Sequence, residues 1–187
     1  MAHKITINDL VIEYDLIWRQ IKYPRLEFKT GKLRLILPKN YRNHEHLIEK
    51  HKLWIWRRHC EIQAAMRDSE NRELDLNRTD NEFKHLVHSC VERMEEELNV
   101  SVNRVRFRKM KTKWGSCSSQ GNLNFNTYLK YLPDHLIEYV VYHEMVHLIE
   151  LKHNDRFWGL IRDRYEERRE HEKNLSSYWF LIQRMSG

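Results

Sequence analysis

From Tyr142 to His153 the chain reads Tyr-His-Glu-Met-Val-His-Leu-Ile-Glu-Leu-Lys-His. This sets two histidines four residues apart, a glutamate directly after the first, and a third histidine six residues beyond the second. Residues at i and i+4 lie one above the other on a helix face, so His143 and His147 can aim both imidazoles at one point. Two neutral imidazoles make half of a tetrahedral metal site. A site that keeps an open position for water needs a third protein ligand, and no other position on that helical turn reaches the same point. His153 supplies it if the helix ends near Glu150 and the chain turns back. Glu150 is the rival, three residues after His147, but its carboxylate approaches from alongside rather than across, so His153 is favoured. Glu144 adjoins the first ligand without joining it, which suits a carboxylate that accepts a proton from a metal-activated water and passes it to a leaving amine.

The surrounding residues suit a buried helix. Pro133 fits a first helical turn, and Asp134 stands favourably against the positive end. The helix is expected over about Pro133 to Leu151, with Leu136 and Val140 on the face of His143 and His147 and with Ile137, Val141 and Leu148 beside it. The spacing from His143 to His153 equals the metzincin H-E-x-x-H-x-x-G-x-x-H, yet Glu150 stands where those proteins carry glycine, the residue that allows a sharp turn at positive φ. A helix that continues one turn further, followed by a looser bend through Leu151-Lys152, is therefore expected to bring His153 round. Phe157-Trp158 follows as an aromatic wall.

H-E-x-x-H is the pattern of zinc peptidases, and a longer set of motifs accompanies it. Met110-Lys111-Thr112-Lys113-Trp114-Gly115-Ser116-Cys117-Ser118, then Asn122-Leu123-Asn124-Phe125-Asn126, the Pro133 helix, and His153-Asn154-x-x-Phe157-Trp158 occur in that order. Together they resemble the YgjP-like metallopeptidase domain family, relatives of the SprT and WLM zinc peptidases, over about Tyr23 to Trp158. The resemblance implies a zincin-type fold, one Zn2+ ion on His143, His147 and His153, and Glu144 as general base. It implies a peptide or protein substrate and says little of the biological role.

The remaining sequence bounds the scaffold. A chain of 187 residues can bury one core, and a hydrophobic fraction of 41% with six tryptophans argues for a folded protein. No apolar run reaches transmembrane length, and Met1-Ala2-His3-Lys4-Ile5-Thr6-Ile7 lacks the apolar region of a signal peptide, so a cytoplasmic protein is expected. Cys60, Cys90 and Cys117 are odd in number and far apart, which predicts thiols; for Cys117 a packed small hydrophobe is favoured over a place near the metal. A net charge of +6 permits attraction to nucleic acid, but no nucleic-acid motif is present, and the alternating Arg104, Arg106 and Arg108 read as a solvated strand face.

In chain order, Leu10–Tyr14, Leu16–Trp18, Leu26–Phe28 and Leu33–Leu37 predict a small antiparallel sheet, with turns at Gly31 and Pro38. Asn43 caps a helix expected over about His44 to Arg67, with Leu47, Ile48, His51, Trp54, Ile55 and Ile62 on its apolar stripe. The polar run from Arg67 to Arg78 is the best boundary. Thr79-Asp80-Asn81-Glu82 has the form of a capping box and opens a helix to about Leu98. His85 and His88 lie three apart there without a third partner. Val102 to Met110 and Leu123 to Asn126 alternate as strands that pair with each other. The Trp114 to Asn126 region is the expected sheet edge for an extended substrate, with Trp114, Asn124 and Asn126 as substrate-binding residues. Asn154 caps a last helical region. Tyr128, Tyr142, Arg156 and Tyr165 are candidate oxyanion donors.

The sequence therefore predicts an α+β protein: a zincin-like metallopeptidase core over residues 79–187, and an N-terminal sheet with a helix over 1–67. The competing reading is a basic protein- or DNA-binding module whose zinc site is structural or non-catalytic.

Overall fold

The computed structural model describes residues 3–185. They form two compact units, one from residues 3–71 with 183–185 and the other spanning Arg72–Ile182.

The first unit is a four-stranded sheet and one helix. Strands β1 (His3–Ile7), β2 (Leu10–Arg19), β3 (Arg25–Lys29) and β4 (Lys32–Pro38) are ordered β1-β2-β4-β3, and helix α1 covers His44–Asp68. β1 is an addition to the sequence reading. Asn8 and Asp9, both at positive φ, make the two-residue turn into β2, and such residues tolerate the left-handed region that tight hairpins need. The expected antiparallel sheet is antiparallel at β1–β2 and β3–β4, but β2 and β4 run parallel. The reason is topological: β3 passes to the outer side of β4 instead of pairing with β2, so β4 returns in the direction of β2. Alternating Ile12, Tyr14, Leu33, Leu35 and Leu37 meet Leu47, Ile48 and Ile55 of α1 in one core. Asn43 caps α1 by accepting from the His46 N–H. Trp54, expected on the buried stripe, is exposed, with its ring 6.0 Å from that of Phe28.

The second unit carries the histidines. Helix α2 (Asp80–Leu98) opens on the expected capping box: the Thr79 side chain accepts from the Glu82 N–H, and the Glu82 carboxylate accepts from the Thr79 N–H. Asn99 closes it in the left-handed conformation. Strands β5 (Arg104–Arg108), β6 (Gly115–Cys117) and β7 (Asn122–Asn126) follow, then helices α3 (Asp134–Val146), α4 (Asp155–Arg164) and α5 (Arg168–Met185). β5 and β7 do pair, in parallel, and β6 adds antiparallel on the other side of β7. The expected substrate edge is thereby divided, since β7 is the central strand and, of that region, β6 alone lies at an edge.

α3 is the middle of this unit, with nine of its thirteen residues buried. Phe83, Val87 and Met94 of α2, Leu123 and Phe125 of β7, and Phe157 and Ile161 of α4 join it in one core. The start of α3 is pinned from outside: the Arg78 guanidinium donates to the Lys130 and Leu132 carbonyls and pairs with Asp134. Among the described residues no helix is long and apolar enough to cross a membrane.

Candidate metal centre

α3 stops sooner than its sequence suggests. The helix ends at Val146 with His147 as C-cap, not near Leu151. The Leu148 N–H then donates to the Met145 carbonyl, and those of Ile149 and Glu150 both donate to the Val146 carbonyl. This tight turn brings the Glu150 carbonyl to 3.1 Å from His147 Nδ1. An Nδ1–H donated there fixes the tautomer and leaves Nε2 as the free lone pair, the usual means of orienting a ligating imidazole. No residue from His147 to His153 has positive φ, so the turn needs no glycine. That removes the objection that Glu150 raised at the sequence level.

The turn delivers His153 to the other two rings. His143 Nε2 and His153 Nε2 are 3.1 Å apart, and one ligand atom from each of His143, His147 and His153 lies within 4.8 Å of the others. Bonds of 2.0–2.1 Å in a tetrahedron require nitrogen separations of about 3.4 Å, so the three donors fit a single ion after small ring movements. Among the described residues this is the one group of three or more potential ligands. His85 instead meets Ser89, and His88 meets the Phe107 ring. Glu150 is not in the cluster: its carboxylate accepts from the Lys152 N–H and, with help from Asn154, is held below the usual carboxylate range.

Aromatic rings hold the imidazoles in place. The Asn154 side chain caps α4 by accepting from the Phe157 N–H, and that fixes Phe157 and Trp158. Phe157 stacks on His147 with centroids 4.6 Å apart and meets His153 edge-on at 4.6 Å. Trp158 stacks on His153 at 5.4 Å, and the Arg168 guanidinium covers the indole at 4.2 Å while gripping Glu172 with two hydrogen bonds. Burial, followed by the nearness of His147 and His153, pushes the His143 imidazole down to about 3. Burial also lowers His147. Both rings are therefore neutral at pH 7, the form that binds a metal.

Glu144 is 7% exposed and faces β6. Burial raises its carboxyl to about 7, against the pull of Lys113 and of a hydrogen bond from the Cys117 N–H. Gly115 makes this approach possible. A Cβ there would lie 2.6 Å from both Cγ and Oε1 of Glu144. A glycine inside a strand often marks such close approach, a signal that sequence reading passed over. The obstructed atoms belong to a side chain rather than to backbone, so Gly115→Ala should displace the carboxylate and leave the fold standing. With Glu144 read as the general base, the expected loss of turnover is on the order of 100-fold, the cost of misplacing a reacting group by about 1 Å, with an unchanged thermal melting curve.

The other expected site residues are not brought to this centre. Asn126 is fully buried; its side chain accepts from the Met110 and Tyr128 N–H groups and donates to the Met110 and Lys113 carbonyls. It locks the loop between β5 and β6 and has no capacity left for a substrate. Asn124 reaches Ser116 Oγ at 3.4 Å on the sheet face opposite the helices. Trp114 packs edge-on against Trp179 at 5.0 Å. Of the candidate oxyanion donors, Tyr142 donates its hydroxyl to the Leu160 carbonyl, and the Tyr165 ring packs against Tyr139 and Tyr142. Cys60, Cys90 and Cys117 are all free. Cys117 is half-buried, and burial pushes its thiol up to about 11, so it stays protonated beside Glu144.

No curated protein matches the chain. Among solved structures it is similar to the metallopeptidase zymogen abylysin of Pyrococcus abyssi, at 22% identity and a TM-score of 0.44, covering 48% of this chain and 90% of that one. It is also similar to the metallopeptidase zymogen jannalysin of Methanocaldococcus jannaschii, at 24% identity and a TM-score of 0.42, covering 53% and 96%. The family model described as YgjP-like, metallopeptidase domain, matches residues 76–178, a segment that contains the histidine cluster, Glu144 and the β6 edge. With more than half of its length matched in this way, the chain belongs to the YgjP-like metallopeptidase domain family.

Proposed function

We propose that this protein is a zinc-dependent peptidase, in which His143, His147 and His153 hold one zinc ion and Glu144 is the general base. The observation that carries the reading is the convergence of three imidazoles, two of them held neutral by burial, beside a buried carboxylate. Three imidazoles with no fourth protein ligand suit zinc and leave a position open, as a catalytic site requires. Bound there, zinc supplies Lewis acidity for a scissile carbonyl and lowers the pKa of a water. Glu144 would take a proton from the attacking water and return it to the leaving amine.

The substrate lies extended along β6. Trp114 and Ser118 turn their hydrogen-bonding groups toward β7, accepting from the Asn126 N–H and donating to the Asn122 carbonyl. By antiparallel alternation the backbone groups of Gly115 and Cys117 point to the free side. The Cys117 N–H is taken by Glu144. The Gly115 N–H and the Gly115 and Cys117 carbonyls are then available to pair with a peptide backbone whatever its sequence.

Chelation tests the proposal. An unstructured polypeptide incubated with the purified protein should be cleaved. Cleavage should stop on removal of metal by a chelator and return on addition of about one equivalent of zinc per chain. Cleavage that survives complete metal removal would sink the reading.

A further inference from the structure

One stretch of this chain is basic without any acidic residue to offset it. From Leu98 to Pro133 there are seven Lys or Arg and no Asp or Glu, so this segment carries +7 while the whole chain carries +6. Folding concentrates it on one side of a sheet. In β5, half-buried Val105 and Phe107 pack on the core, while Arg104, Arg106 and Arg108 alternate with them and are exposed. The three arginines leave the same face, with successive stems about 6.8 Å apart. Register sets Asn122 beside Arg104 and Asn124 beside Arg106, with Ser116 beyond Asn124. Lys111 and Lys113, also exposed, continue past the end of the strand. Among the described residues none of the three arginines has an ion-pair partner. Solvation alone does not require six like charges in ten residues, and their mutual repulsion opposes it.

We propose that the outer face of the β5-β7-β6 sheet, through Arg104, Arg106 and Arg108, binds the phosphate backbone of duplex nucleic acid. Guanidinium groups match phosphate with paired hydrogen bonds, and the neighbouring Asn and Ser side chains add uncharged donors. The face decides between partners by what it lacks. Its row of Arg, Asn and Ser side chains includes no apolar one, whereas a stable protein interface centres on buried aromatic or aliphatic anchors. It also includes no aromatic ring on which unpaired bases could stack, as single-strand binding uses. Charge and neutral donors are what a duplex backbone requires, and little sequence preference follows.

Fluorescence anisotropy with a short labelled DNA duplex, between roughly 50 and 200 mM salt, tests this. Binding should weaken with salt along a log–log slope of about −2.7 or steeper, three phosphates being neutralised. The triple variant R104Q/R106Q/R108Q should bind at least about tenfold more weakly, with a slope shallower by about 2.7. The triple lysine variant, which keeps the charge, should retain most of the affinity and so separates lost contacts from a disturbed strand. The E144Q variant should bind the duplex as the unaltered protein does, so the peptidase reading can fail without this one. The inference is overturned if the glutamine variant binds equally well, if polyglutamate of equal charge displaces the duplex as efficiently as unlabelled duplex, or if a single strand binds as tightly.

Discussion

Replacing Glu144 by glutamine should abolish most peptide cleavage while leaving one metal ion per chain. Glutamine keeps the size of the side chain and can still accept from the Cys117 N–H, so the three imidazoles and the β6 edge stay in place. What is lost is a proton acceptor. General-base catalysis contributes about 10²–10⁴-fold, so kcat should fall by at least about 100-fold, with metal content by elemental analysis and the thermal melting curve unchanged. The fold should not weaken, because an ionised carboxylate that is 7% exposed costs free energy in place of supplying it. Turnover retained within a few-fold would remove Glu144 from the mechanism. Loss of metal together with activity would make it a supporting residue of the site.

His153→Ala and Glu150→Ala form the second decisive pair, since they ask which residue completes the ligand set. His153 Nε2 lies 3.1 Å from His143 Nε2, whereas the Glu150 carboxylate is engaged with the Lys152 N–H. Removing His153 leaves two imidazoles, and the ion should be lost on dialysis, with stoichiometry dropping from about one to near zero. Removing the Glu150 side chain should leave stoichiometry unchanged. The Glu150 carbonyl that receives His147 Nδ1 belongs to the backbone and survives the substitution. Metal retained in the first variant and lost in the second would reverse the assignment.

Much of this was legible in the chain itself, because it depended on short-range rules. The Thr79–Glu82 capping box, the Asn43 and Asn154 caps and the alternation of β5 and β7 each involve residues only a few positions apart. The i, i+4 placement of His143 and His147 on α3 is of the same kind. Where the reading missed, the cause was a contact that residue periodicity does not encode. α3 ends at Val146 because the turn after it hands the Glu150 carbonyl to the His147 ring. Asn126, expected to bind substrate at the sheet edge, is buried because the loop at Met110 and Lys113 folds over it.

The sequence by itself determined the donors: three imidazoles, one carboxylate beside the first, and helical spacing for two of the rings. It also holds one stretch, from Leu98 to Pro133, with seven basic residues and no acidic one. Only the tertiary structure decided that His153 arrives by a turn without positive φ, that Gly115 opens the space Glu144 occupies, and that the arginines of β5 share one uncovered face. The physical reason is the same in each case. Ligand chemistry and periodicity are properties of neighbouring residues, while the fit of one side chain against a strand thirty residues away exists only once the core of α3 has drawn them together.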